Sequence, residues 1–177
     1  MLNESLLQET VVFDVKLRRM KSPDGAIEAD FYSIQCSDWV NIVPITDDGK
    51  IILVEQFRHG IQDITFEVPG GIIAKGKTPL EAALDELEEE TGHSSAEFHS
   101  LGAFHPNPAI QTNLAHLFLA KNCRPAGGQR LDELEDIEIH TVPINEIGKW
   151  VDDGRVSHCL SLAALYQVRN RFPEIGI

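Results

Sequence analysis

Three glutamates, Glu86, Glu89 and Glu90, lie three and four residues apart in a stretch, residues 78–92, that reads as a helix. That spacing places their carboxylates in one sector about 100° wide. Like charges so placed destabilise a helix by roughly a few tenths of a kcal/mol per pair. Glu90 also lies near the negative end of the helix dipole, where a carboxylate is disfavoured. Two readings of these residues stay open: a solvated acidic face, or hard oxygen ligands for magnesium, manganese or calcium. Upstream, Glu67-Val68-Pro69-Gly70-Gly71 leads from a strand into a loop whose glycines would let backbone approach a ligand and expose a carbonyl.

The elements that must hold these residues are legible in outline. Thr78 can cap the helix, Pro79 suits its first position, Glu81 completes a capping box and Gly92 marks its end. Leu80, Ala83, Leu84 and Leu87 should face the core, leaving the carboxylates along one border. Residues 11–18 and 27–36 read as strands around the turn Ser22-Pro23-Asp24-Gly25. Residues 40–45 and 51–57 flank a second hairpin turn at Asp47-Asp48-Gly49-Lys50. Residues 64–68, 101–104, 115–119 and the alternating Ile137, Ile139 and Thr141 supply further strands. Residues 124–133 read as a mobile loop. Two helices close the chain, at residues 145–152, stopped by Gly154, and from a Ser157 cap to Arg171. The pattern predicts an α+β or layered α/β/α domain.

Composition narrows the function. The 177 residues are 42% hydrophobic and 24% charged, as expected for one globular domain. A net charge of -13 repels duplex nucleic acid, so no nucleic-acid partner is expected. An anionic substrate would meet the same repulsion unless a bound divalent metal offset it locally. No apolar run approaches the roughly 20 residues that cross a bilayer, so no membrane partner is expected. Residues 1–10 lack the basic start of a secretory signal. Cys36, Cys123 and Cys159 are odd in number and widely spaced, which suggests reduced thiols and a cytoplasmic setting.

From Gly71 to His93 the sequence resembles the Nudix hydrolase signature in a degenerate form. Gly71, Glu86, Leu87, Glu89, Glu90 and Gly92 match it; Lys77 stands for the usual Glu and Asp85 for the usual Arg. These two positions usually pair in the family, and the reversed charges would let the pair persist with swapped polarity. Leu53-Val54-Glu55-Gln56-Phe57-Arg58, Glu67-Val68-Pro69-Gly70-Gly71 and Glu133-Leu134-Glu135-Asp136-Ile137 look like the ADP-ribose pyrophosphatase branch. At His105-Pro106-Asn107-Pro108-Ala109 the branch has Ser-Pro-Gly instead, which leaves the substrate within the class open.

The resemblance implies an α/β fold of Nudix type, a mixed sheet between the signature helix and the C-terminal helices. It implies residues 38–177 as the hydrolase domain and residues 1–37 as strands of a homodimer interface near the substrate pocket. Mg2+ or Mn2+ would be held by Glu86, Glu90 and the Gly70 carbonyl, with Glu89 bound directly or through water. Glu135, or failing it Glu133, would serve as base. Arg58 would contact substrate phosphate, and Glu67 would contact ribose or help hold the metal. Trp39 could stack on a base or pack in the core. His59, His93, His116 and His140 show no ligand spacing and read as structural or surface residues. The function implied is hydrolysis of ADP-ribose or a related nucleoside-diphosphate sugar. Flavin or coenzyme A nucleotides as substrates, or a Nudix-fold ligand sensor without turnover, are the alternatives.

Overall fold

The computed structural model describes residues 1–177. Three N-terminal strands, β1 (Asn3–Glu9), β2 (Phe13–Lys21) and β3 (Glu28–Cys36), form a separate antiparallel sheet in that order. A larger sheet follows, built on β4 (Trp39–Thr46), β5 (Lys50–Arg58), β6 (Asp63–Glu67) and β7 (Gly70–Ile72). Helix α1 (Pro79–Thr91) comes next, then β8 (His93–Ser94), β9 (Glu97–Phe104), β10 (Ala115–Pro125) and β11 (Ile137–Pro143). The chain closes with α2 (Ile147–Asp152) and α3 (Cys159–Arg171). The large sheet is mixed, because β10 runs parallel to β4 while the other pairings are antiparallel.

Alternation along β4 and β5 splits the core between the two faces of this sheet. Val43, Ile45, Ile51 and Leu53 pack toward Ile147 of α2 and Leu160, Ala164, Leu165 and Val168 of α3. Val40, Ile42 and Ile52 pack toward Ala82, Ala83 and Leu87 of α1. The layered α/β/α arrangement expected from sequence is therefore present.

Helix α1 begins as its sequence dictates. Thr78 Oγ1 accepts the Glu81 N–H at 3.2 Å, and the Thr78 N–H donates to Glu81 Oε2 at 2.8 Å. Gly92 ends it at φ 65, in the left-handed region open to glycine. Its rotation differs from the expected one. Leu80 and Leu84 are 44% and 41% exposed, whereas Ala82, Ala83, Leu87, Glu90 and Thr91 are buried. Helix α1 turns Glu90 into its buried face beside Leu87 and leaves Leu80 and Leu84 outside it.

Two further expectations change. The cap of α3 is His158, not Ser157, and no side chain bonds there. Residues 124–133 are not free: Arg124 and Pro125 finish β10, and the following segment is tied to the end of α1. Gln129 Nε2 donates to the Glu90 carbonyl at 2.7 Å, the Arg130 N–H to the Glu89 carbonyl at 2.9 Å, and Arg130 pairs with Glu88 at 2.7 Å. These donors satisfy carbonyls that a helix C-terminus otherwise leaves open. No helix of the chain is long and apolar enough to cross a membrane.

Candidate metal and phosphate site

Two glycines bring β7 against α1. The Gly70 N–H donates to Glu90 Oε2 at 2.9 Å. A Cβ at Gly71 would stand 2.2 Å from Glu86 Oε1, and one at Gly70 would stand 2.2 Å from the Val40 carbonyl oxygen. The β4 backbone and the Glu86 carboxylate thus occupy space that any side chain would fill.

The electrostatics of this corner are strained in the absence of a cation. Burial, reinforced by the charges of Glu89 and Glu135, pushes Glu86 up to about 7. Burial likewise pushes Glu90 up to about 8; the charges of Glu86 and Glu135 add to it, against the Gly70 hydrogen bond and the Arg58 charge. Asn41, beside Gly70 in the β4–β7 pairing, has a buried Oδ1 with no partner. An all-oxygen donor set, two carboxylates that resist ionising together and an orphaned acceptor suit a hard divalent cation. Glu89 is half-buried on the same helix. The Lys77–Asp85 pair forms with the swapped polarity expected, Nζ to Oδ2 at 2.5 Å.

Next to this corner lies an arginine–glutamate pair. Arg58, at the end of β5, donates through Nε and Nη2 to Glu67 Oε1 and Oε2 at 2.7 and 2.6 Å. Thr65 Oγ1 donates to Glu67 Oε1 at 2.5 Å, and His158 Nδ1 lies 2.8 Å from Oε2. Burial alone would raise the Glu67 carboxyl. The bonds from Arg58, His158 and Thr65 outweigh burial and hold it well below the carboxylate range. Glu67 is 1% exposed, so both its oxygens are committed within the protein. In this arrangement it anchors Arg58 instead of reaching toward ribose or metal.

Arg58 and His158 line both a cleft of about 1010 Å³ and an adjoining one of about 280 Å³. The larger also holds Glu135, whose Oε2 accepts the Asp132 N–H at 2.9 Å. The smaller holds Trp39, Gly70, Gly71 and Val12 from the β1–β2 turn. Trp39 is half-buried, packs against the main core and lines this smaller cleft. Glu133 is exposed and lines neither cleft. His158 carried no signal in the sequence; only the meeting of α3 with β6 places it on Glu67.

Comparison with known proteins gives a family and several relatives. The NUDIX domain family model matches residues 38–159. An ADP-ribose pyrophosphatase of Bacillus subtilis is 36% identical over 118 residues, which span 66% of this chain and 64% of that protein. An ADP-ribose pyrophosphatase of Mycobacterium tuberculosis is 25% identical over 171 residues, 93% of this chain and 82% of that one. A crystal structure described as an ADP compounds hydrolase superposes with a TM-score of 0.86 at 22% identity, covering 99% of this chain and 94% of that one.

Proposed function

The chain belongs to the NUDIX domain family, and from that premise we propose that it hydrolyses the pyrophosphate bond of ADP-ribose or a related nucleoside-diphosphate sugar with Mg2+ or Mn2+. The observation that carries this reading is the convergence of Glu86 and Glu90 on Gly70 and Gly71 beside a cleft where Glu67 holds Arg58. The relatives named as ADP-ribose pyrophosphatases support the substrate class.

Glu86, Glu90 and the Gly70 carbonyl would hold the cation, with Glu89 bound directly or through water. When bound, such an ion would supply charge neutralisation for the phosphates and would favour ionisation of the attacking water. Arg58 would grip a phosphate, its guanidinium oriented by Glu67 and its charge retained at every working pH. Glu135 would take the proton of the attacking water, and Glu133, which lines neither cleft, is the second choice. Water oxygen then bonds to one phosphorus as the bridging P–O bond breaks, giving a nucleoside monophosphate and a sugar phosphate. Trp39, which lines the smaller cleft, would stack on the base. We place the protein in the cytoplasm, as a homodimer joined through residues 1–37.

A panel of ADP-ribose, other nucleotide sugars, and flavin and coenzyme A nucleotides, scored for monophosphate release with Mg2+ or Mn2+, tests the reading. Turnover strongest on a nucleotide sugar is expected. Preference for a flavin or coenzyme A nucleotide would reassign the substrate. Binding without turnover on any member would make the protein a sensor.

A further inference from the structure

On the sheet face opposite α1, Glu55 of β5 and Glu138 of β11 stand directly across from one another, with His140 next on the same face. One donor atom from each, nitrogen or carboxylate oxygen, lies within 4.8 Å of the other two. His140 Nε2 is 2.7 Å from Glu55 Oε2 and 3.8 Å from Glu138 Oε1.

Folding alone explains this set poorly. Two carboxylates directly opposed across an antiparallel pair repel. The short His140–Glu55 contact is also not a hydrogen bond: Nε2 is buried and has no hydrogen-bond partner. A hydrogen bond requires the oxygen on the nitrogen's in-plane axis, whereas two ligands of one ion leave it off that axis. Ligands of a tetrahedral ion with bonds of about 2.0–2.1 Å stand roughly 3.4 Å apart, between the two separations seen here. The Phe66 ring packs edge-on against His140 at 5.1 Å, and Trp150 against Phe66 at 5.1 Å, forming an apolar wall. Such a wall orients the imidazole and strengthens its interaction with charge.

We propose that Glu55, Glu138 and His140 form a second cation site, for a borderline divalent ion of zinc type. One nitrogen and two carboxylate oxygens suit zinc better than magnesium, which prefers oxygen alone. Glu138 is 76% exposed, so the fourth position is open to water. The ion would cross-link β11 to β5. The residue preceding β11 is Asp136, in the loop that carries Glu135.

The test uses full-length protein carrying E86Q and E90Q, which removes two of the three carboxylates of the proposed catalytic cation, and it reads binding, so the result does not depend on turnover. Calorimetric titration with Zn2+ should give one equivalent per chain and a rise in Tm. Co2+ should give the visible absorption of a four-coordinate ion. Adding H140Q should abolish binding, and adding E138Q, a change at an exposed position, should weaken it about tenfold or more. No zinc bound at micromolar concentration in the E86Q/E90Q protein would overturn the proposal. So would zinc affinity left unchanged by both H140Q and E138Q.

Discussion

Glu90 shares the buried face of α1 with Ala83 and Leu87, 4% exposed, where a helix on a sheet ordinarily carries an apolar side chain. Its raised pKa has a consequence of definite sign. A carboxyl whose folded pKa lies above its unfolded value stabilises the fold at low pH, and that stability is lost as pH rises through the folded pKa. The metal-free protein should therefore weaken between about pH 4.5 and about pH 8, the range set by Glu86 and Glu90. Glu90→Gln keeps an acceptor for the Gly70 N–H and removes the charge. In chelator at pH 8 it should be more stable than the parent by roughly 2–4 kcal/mol in urea unfolding, yet slower in turnover by about a hundredfold or more. Unchanged turnover would remove Glu90 from the site. Glu67 has the opposite sign: its partners stabilise the ionised form. Breaking a fully buried pair costs about 3–5 kcal/mol. Because Arg58 is 44% exposed, Glu67→Gln should cost about 2 kcal/mol, read as a lower urea midpoint, with KM raised more than kcat is lowered.

At the scale of elements, the two glycines of β7 should separate by mutation. A Cβ at Gly71 meets the carboxylate end of a side chain that can swing aside, whereas one at Gly70 meets the Val40 backbone oxygen in β4. Gly71→Ala should therefore fold with little loss of Tm but bind Mn2+ at least about tenfold more weakly. Gly70→Ala should lose about 2 kcal/mol or more, because the β4–β7 pairing has to open. Equal thermal losses in the two variants would contradict this division. Much of this scaffold is legible in the sequence, since Thr78, Glu81, Gly92 and the turns at residues 22–25 and 47–50 act through neighbours close in the chain. The rotation of α1 is not: Leu80 and Leu84 look like core by composition, and only the carboxylate–glycine contacts with β7 turn Glu90 inward. β7 itself is Gly-Gly-Ile, with no strand propensity to read, and β1 has no apolar alternation because neither face is buried. Glu55 and His140 are brought together by cross-strand register between segments far apart in the chain, which is why the histidine showed no ligand spacing.

The whole molecule leaves its N-terminal sheet short of partners. β1 is exposed along its length, and the sheet meets the rest mainly through Ile34, which exchanges hydrogen bonds of 2.7 and 3.1 Å with Ile110 and Thr112. Three strands without a covered face are marginal in water, and a free edge strand invites pairing. Leu6, Phe31 and Tyr32 are 52%, 56% and 63% exposed, and Met20, Ile27, Ala29, Phe31 and Tyr32 line a groove of about 370 Å³. A second copy of the chain is the occupant that the proposed homodimer supplies. It would cover these side chains close to Val12, which already reaches the smaller cleft beside Gly70 and Gly71. Light scattering at micromolar concentration should therefore give twice the 19.7 kDa chain mass. The pair Leu6→Glu and Phe31→Glu should shift it to the monomer without changing the circular dichroism, since both side chains are exposed in the single chain. Loss of the dimer should raise KM before it lowers kcat, because the β1–β2 turn borders the smaller cleft while Glu86, Glu90 and Glu135 lie outside residues 1–37. A parent protein that scatters as a monomer would overturn the dimer and leave the apolar groove without an occupant.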